Sequence, residues 1–228
     1  KIGMLEEKCL DFLIEHVSFW EHLSQKEKER LVNGTSVVSY KKGTLVHGGN
    51  EDCIGIFLVR SGQFRTYLMS EDGREITLYR LYAGDVCVLS ASCVLEAITF
   101  DVYIDAEEDT EALLIDASVF RMLAEKNIYV QNFGYRITTG NFSDVMWAMQ
   151  QILFMGADKR LAIFLIDETS KNGTDTVKMT HEQIARLMGS AREVVSRMLK
   201  YFEEENMVTL SRGEVRISDR KKLRALTE

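Results

Sequence analysis

Arg192, Glu193, Ser196 and Arg197 gather four hydrogen-bonding side chains into six residues of chain. The chemistry they share is the reading of base edges. A guanidinium bonds guanine through O6 and N7, a carboxylate accepts from the cytosine amino group, and a hydroxyl reaches base edges or phosphates. Each residue also has a plainer reading: Glu193 as the capping partner of Ser190, Arg197 as a solvated charge, Ser196 as a helix-surface residue. The surrounding stretch, THEQIARLMGSAREVVSRMLK at 180–200, favours the sharper one.

That stretch predicts two short helices. Thr180 with Gln183, and Ser190 with Glu193, each have the spacing of a capping box, and the two boxes stand ten residues apart. Ile184, Leu187 and Met188 give the first helix an apolar face, and Val194 or Val195 with Met198 and Leu199 do the same for the second. Small Ala185 lets the helices cross closely, while Gly189 sits where a helix ends in a left-handed conformation that is cheap only for glycine. The sum is a helix-turn-helix. Beyond it, Val208–Leu210 and Val215–Ile217 flank Ser211-Arg212-Gly213-Glu214, a hairpin or wing whose tip offers Arg212 to the phosphate backbone. Ser218 is expected to cap a last basic helix. The candidate DNA-facing set is therefore Thr180, Ser190, Arg192, Glu193, Ser196, Arg197 and Arg212.

A net charge of −7 argues against a nucleic-acid partner until it is divided along the chain. From Lys178 to Glu228 there are eleven Lys and Arg against eight Asp and Glu, so the acidic excess belongs to the preceding residues. The basic balance follows the helix-turn-helix. No run of eighteen apolar residues occurs, and Lys1 to Leu10 lacks the basic-then-apolar order of a secretory signal, so no membrane is expected and the expected location is the cytoplasm. Cys9, Cys53, Cys87 and Cys93 show no C-x-x-C or Cys/His metal spacing, and reduced, buried thiols are the default.

Upstream, Leu5–Val17 and Gln25–Asn33 have helical spacing, the second behind a Ser24 to Glu27 capping box. From Thr35 the pattern changes to eight short β-rich runs: Ser36–Tyr40, Thr44–His47, Ile54–Arg60, Gly62–Ser70, Glu75–Tyr82, Asp85–Leu89, Thr99–Ala106 and Thr110–Asp116. Glycines punctuate them, and Asp72-Gly73 is the clearest hairpin turn. This spacing predicts a jelly-roll barrel or sandwich. A helix over Asp116–Lys126 leads to a longer one from Ile128 to Met155, where Tyr135, Thr138, Phe142, Val145, Met149 and Ile152 recur at spacings of three and four. Such a stripe suits pairing with a second copy; packing on its own barrel is the alternative. Gly156 is a candidate hinge. The fold class is α+β, with a barrel sensor domain at 1–127, a dimerisation helix at 128–156 and a winged helix-turn-helix at 157–228.

This order of parts resembles the Crp/Fnr family of bacterial transcription regulators across nearly the whole chain. The resemblance rests on Gly43, Phe57-Leu58-Val59 with Gly62, Gly84-Asp85, ADKRLAIFL at 157–165 and EQIARLMGSAREVVSRMLKYFEEENMV at 182–208. It places the family's base contacts on Arg192, Glu193 and Arg197, with Ser196 and the ADKRLAIF segment closer to the fumarate-nitrate branch. It implies a cyclic-nucleotide-binding-like barrel and a homodimer on double-stranded DNA, with RNA polymerase as a further partner. The family's nucleotide pocket needs a Gly-Glu and an Arg-Ser pair in the barrel, but after Gly84-Asp85 the chain reads VCVLSASCVL, and before Asp105-Ala106 it reads ITFDVYI without any arginine. Between Leu81 and Phe120 there is no Lys or Arg, so a buried phosphate is expected to meet no cation. The helix positions that carry hydroxyl residues in nucleotide binders fall on Val145 and Met146. Only Cys9 stands where the fumarate-nitrate branch gathers cluster cysteines. Haem could use His22 or His47, which no spacing singles out. The expectation is no cyclic nucleotide, no iron-sulfur cluster and no haem, with a small-molecule or redox signal left open. Cys87 and Cys93 could form a redox-switched disulfide, against the simpler reading of buried structural thiols. A module that binds a ligand or a protein partner is the alternative function. No nucleophile-base pair, metal set or phosphate-cradling loop suggests an enzyme.

Overall fold

The computed structural model describes residues 5–48, 55–87 and 102–227. The expected strand positions at 54, 88–89 and 99–101 and the cysteines Cys53 and Cys93 lie outside the described residues. Packing divides the chain into two compact units, Lys1–Leu68 with Leu78–Val145, and Met69–Thr77 with Met146–Glu228.

In the first, α1 (Glu7–His16), a 3₁₀ turn at Trp20–His22 and α2 (Gln25–Asn33) precede the barrel. The capping box of α2 forms as its spacing predicts, the Ser24 amide donating to Glu27 Oε2 at 2.8 Å. Among the described residues eight strands follow: β1 (Thr35–Tyr40), β2 (Leu45–His47), β3 (Ile56–Ser61), β4 (Phe64–Met69), β5 (Glu75–Leu81), β6 (Val86–Cys87), β7 (Tyr103–Ala106) and β8 (Thr110–Ile115). They make two four-stranded sheets in the orders β1-β8-β3-β6 and β2-β7-β4-β5. After them come α3 (Ala117–Ala124) and α4 (Ile128–Phe154).

The unbroken apolar run of β3 is explained by burial on both faces, with side chains alternating between two cores. Ile56 and Leu58 pack with Leu113 and Ile115 of β8 against Cys9 and Leu13 of α1, Phe120 of α3 and Phe133 of α4. Phe57 and Val59 point the other way, into a cluster with Phe64, Tyr79, Leu81, Cys87, Ile104 and Ala112. Gly62 closes the β3–β4 turn at φ +82°, where a Cβ would lie 2.5 Å from the Asp109 carbonyl oxygen, so only glycine fits.

The stripe expected on α4 divides. Val145 packs against the barrel cluster, which is the alternative that the spacing left open. Tyr135, Phe142, Met146, Trp147, Met149, Leu153 and Phe154 instead present large apolar side chains to solvent, with Phe142 at 61% exposure.

The second unit contains α5 (Ala157–Asn172), β9 (Thr176–Val177), α6 (His181–Met188), α7 (Arg192–Glu204), β10 (Val208–Ser211), β11 (Glu214–Ile217) and α8 (Arg220–Ala225). Gly156, in an extended conformation, is the N-cap of α5. Leu161 and Leu165 of α5, Ile184 of α6, and Val195, Leu199 and Phe202 of α7 meet Val177, Val208 and Val215 of the small sheet in one core. That sheet has the order β10-β11-β9. The cap of α8 is Asp219, not Ser218 as the sequence suggests. The Asp219 carboxylate accepts from the amides of Lys221 and Lys222, while the Ser218 hydroxyl lies 2.9 Å from that of Thr209 and is engaged there.

Candidate nucleic-acid interface

The helix-turn-helix is built from backbone geometry outward. Thr180 caps α6 as expected: its amide donates to Gln183 Oε1 at 2.8 Å and its Oγ1 accepts from the Gln183 amide at 3.2 Å. At the other end Gly189 adopts φ 60°, ψ 41°, its amide donates to the Arg186 carbonyl, and the Ser190 amide donates to the Ala185 carbonyl at 2.9 Å. This pair of bonds is a Schellman closure. It corrects the capping box expected at Ser190. The Ser190 amide completes the end of α6, and the N-cap of α7 falls one residue later, on Ala191, without any side-chain cap bond. Glu193 is left in the first turn of α7, where its charge complements the helix dipole.

With Val195, Leu199 and Phe202 buried beneath, the opposite face of α7 is available. Arg192, Glu193 and Arg197 are exposed, and Ser196 is half-buried. The Arg192 guanidinium stands 3.9 Å from Glu182 of α6, both well exposed, a separation that leaves the arginine free to reach a base. The structure therefore brings the four candidate readers to one helix face. Arg212 is exposed at the tip of the β10–β11 wing, where Gly213 takes φ +76°.

Two sets of residues in this unit escape sequence reasoning. The first braces the turn: Arg160 Nη1 donates to the Met188 carbonyl at 3.2 Å, and Arg74 Nη2 to the Gly189 carbonyl at 3.0 Å. Burial, then the neighbouring Arg74 charge, lowers the Arg160 pKa. Arg186 Nε also pairs with Glu75 Oε2 at 2.7 Å. No local signal could have found Arg74 or Glu75, over a hundred residues away in sequence. The second is His181, the first residue of α6, whose Nδ1 lies 3.0 Å from Ser196 Oγ.

In the barrel, Cys87 is wholly buried in the cluster against which Val145 packs, whereas Met146 is 46% exposed. Cys93 lies outside the described residues. Burial, with a smaller contribution from Cys87, raises the Tyr79 phenol well above its ordinary value and keeps it neutral. A buried cation reaches the barrel from outside the stretch between Leu81 and Phe120 that lacks Lys and Arg. Arg65 of β4 is fully buried and faces Asp105 of β7 in register, through Nε to Oδ1 at 3.2 Å and Nη2 to Oδ2 at 3.0 Å. Arg80 of β5 pairs with Glu107 at 2.9 Å. Both arginines precede the cation-free window, and strand pairing across the sheet delivers them to carboxylates within it. His47 is buried, and His22 stacks on Tyr129. Among the described residues no helix is long and apolar enough to cross a membrane.

Comparison with known proteins agrees with both units. Residues 37–127 match the family model of the cyclic nucleotide-binding domain, and residues 159–226 that of the Crp-like helix-turn-helix domain. A solved structure from Eubacterium rectale, assigned to the Crp/Fnr family of transcriptional regulators, is 45% identical with a TM-score of 0.89, over 93% of this chain and 99% of that one. The transcriptional activator protein anr of Pseudomonas aeruginosa is 26% identical over 194 residues, 82% of this chain and 78% of its own. The cAMP-activated global regulator CRP of Pasteurella multocida is 26% identical over 180 residues, 74% and 82% of the two chains. With a jelly-roll barrel, a long helix and a winged helix-turn-helix in that order, and a relative this similar along almost its entire length, the chain belongs to the Crp/Fnr family of transcription regulators.

Proposed function

We propose that this protein is a sequence-specific DNA-binding regulator that works as a homodimer, α4 against α4 of a second copy, in the cytoplasm and together with RNA polymerase. The observation that carries this reading is the face of α7: Arg192, Glu193 and Arg197 exposed and Ser196 half-exposed above a buried apolar seam. The exposed apolar side chains of α4 supply the surface for the second copy. A two-fold dimer sets two recognition helices about 34 Å apart, in successive major grooves of a near-palindromic operator. Arg212 on the wing supplies a phosphate contact that fixes register without reading sequence.

The signal acts on the barrel, and it is not a cyclic nucleotide. At the positions the family's pocket uses, after Gly84-Asp85 and before Asp105-Ala106, the barrel reads VCVLSASCVL and ITFDVYI, with neither a Gly-Glu nor an Arg-Ser pair, and the buried Arg65 and half-buried Arg80 are each matched by a carboxylate that a phosphate would have to displace. The same reading has no place for an iron-sulfur cluster or haem, and it leaves the protein a regulator without catalytic activity. Selection from a random duplex pool, with and without reductant, tests it. Enrichment of an inverted repeat is the expected result. Monomer alone at micromolar concentration, or no enrichment in either condition, would overturn it.

A further inference from the structure

Base reading by a serine is ambiguous by nature, because a hydroxyl both donates and accepts and its hydrogen rotates to suit. In this protein the Ser196 hydroxyl is already engaged, 3.0 Å from Nδ1 of His181. The two side chains come from different helices, His181 opening α6 and Ser196 in the second turn of α7, and both are half-buried. Among the described residues the His181 ring has no other hydrogen-bond partner, so Nε2 remains available. In a helix-turn-helix the first helix crosses the DNA backbone. A phosphate oxygen only accepts hydrogen bonds. A neutral imidazole that donates Nε2–H to it must accept at Nδ1, and the Ser196 hydroxyl must then donate to Nδ1. What Ser196 has left to show a base is lone pairs.

We infer that His181 is a positioning residue for base recognition: it fixes the Ser196 hydroxyl as an acceptor, so that Ser196 selects a base bearing an exocyclic amino group, adenine N6 or cytosine N4, on the strand it faces. Guanine O6 and N7 and thymine O4 are acceptors and are disfavoured at that position. This rests on the DNA-binding reading above and adds to it a specificity determinant one helix away from the reading face.

The test uses the full-length protein on its selected operator and on every single-base variant of one half-site, at neutral pH. Ser196→Ala locates the base pair that Ser196 reads, by a loss of discrimination of roughly three- to tenfold. His181→Ala should flatten discrimination at that same base pair, with no further loss in the double variant. His181→Asn, whose Oδ1 accepts where Nδ1 does, should restore it. Arg197→Ala, acting at another base pair, should combine additively with His181→Ala. A uniform loss across all variants in His181→Ala would make His181 a phosphate contact only and overturn the inference, as would a guanine or thymine at the Ser196 position. No selective duplex by the parent protein would instead remove the DNA-binding reading itself.

Discussion

Replacing Phe142 with alanine should weaken self-association strongly while leaving each protomer folded. Phe142 stands on the outward face of α4 at 61% exposure, so truncation removes little from the protomer's own core. Full burial of a phenylalanine side chain is worth roughly 1.5–3 kcal/mol, and the exposed fraction of Phe142 corresponds to about 1–2 kcal/mol of that. A two-fold interface contains the residue twice, which raises the loss to about 2–4 kcal/mol per dimer, or roughly 30- to 1,000-fold in the dissociation constant. Sedimentation velocity across a concentration series measures this directly. A denaturant melt of the monomer should change by no more than about 0.5 kcal/mol, the usual effect of a surface substitution. Binding to a full palindrome should fall with the dimer, while binding to an isolated half-site should not. A dissociation constant within threefold of the parent would place the interface elsewhere and refute the argument from the exposed face of α4.

The remaining expectations concern the reading head and the fold. Arg197→Ala should cost about 1–3 kcal/mol at one G·C pair and relax specificity there; an unchanged base preference in a variant-operator panel would remove Arg197 from the readout. Arg212→Ala should weaken all duplexes alike and reduce the salt dependence of binding by about one ion; a loss confined to one base pair would contradict its role as a phosphate contact. Gly189→Ala should destabilise the fold by about 1–2 kcal/mol through its left-handed backbone, since the added Cβ would meet Ile76 only at an ordinary 3.5 Å; urea denaturation reads the cost, and an unchanged midpoint would refute it. Asp116, the N-cap of α3, is held below the ordinary carboxylate range by the Ser118 hydroxyl and by the amides of Ser118 and Val119. Its contribution is therefore present above the unfolded-state pKa and fades as pH falls through the depressed folded value. Asp116→Asn should flatten the acid limb of the stability profile, and an acid limb identical to the parent's would count against this account.

What the sequence determined by itself is whatever depends on neighbours three or four residues away. The capping boxes of Ser24 with Glu27 and Thr180 with Gln183 formed as spaced, because donor and acceptor share one turn of helix. The glycine-bounded β runs, the wing around Arg212-Gly213 and the left-handed Gly189 followed from periodicity and from backbone sterics that hold in any surroundings. Tertiary structure decided the cases in which one group had two possible partners. Ser190 could have capped α7, but the closure of α6 took its amide, and Ser218 was engaged by Thr209 while Asp219 capped α8. Spacing puts Val145 in an outer stripe, with the barrel as the alternative, and packing assigned it to the barrel. Arg65 met Asp105, Arg74 met the Gly189 carbonyl and His181 met Ser196 only because folding set distant backbone segments side by side. A hydrogen bond is worth its energy within about 3 Å, and across such sequence separations that distance is a property of the fold and not of the spacing.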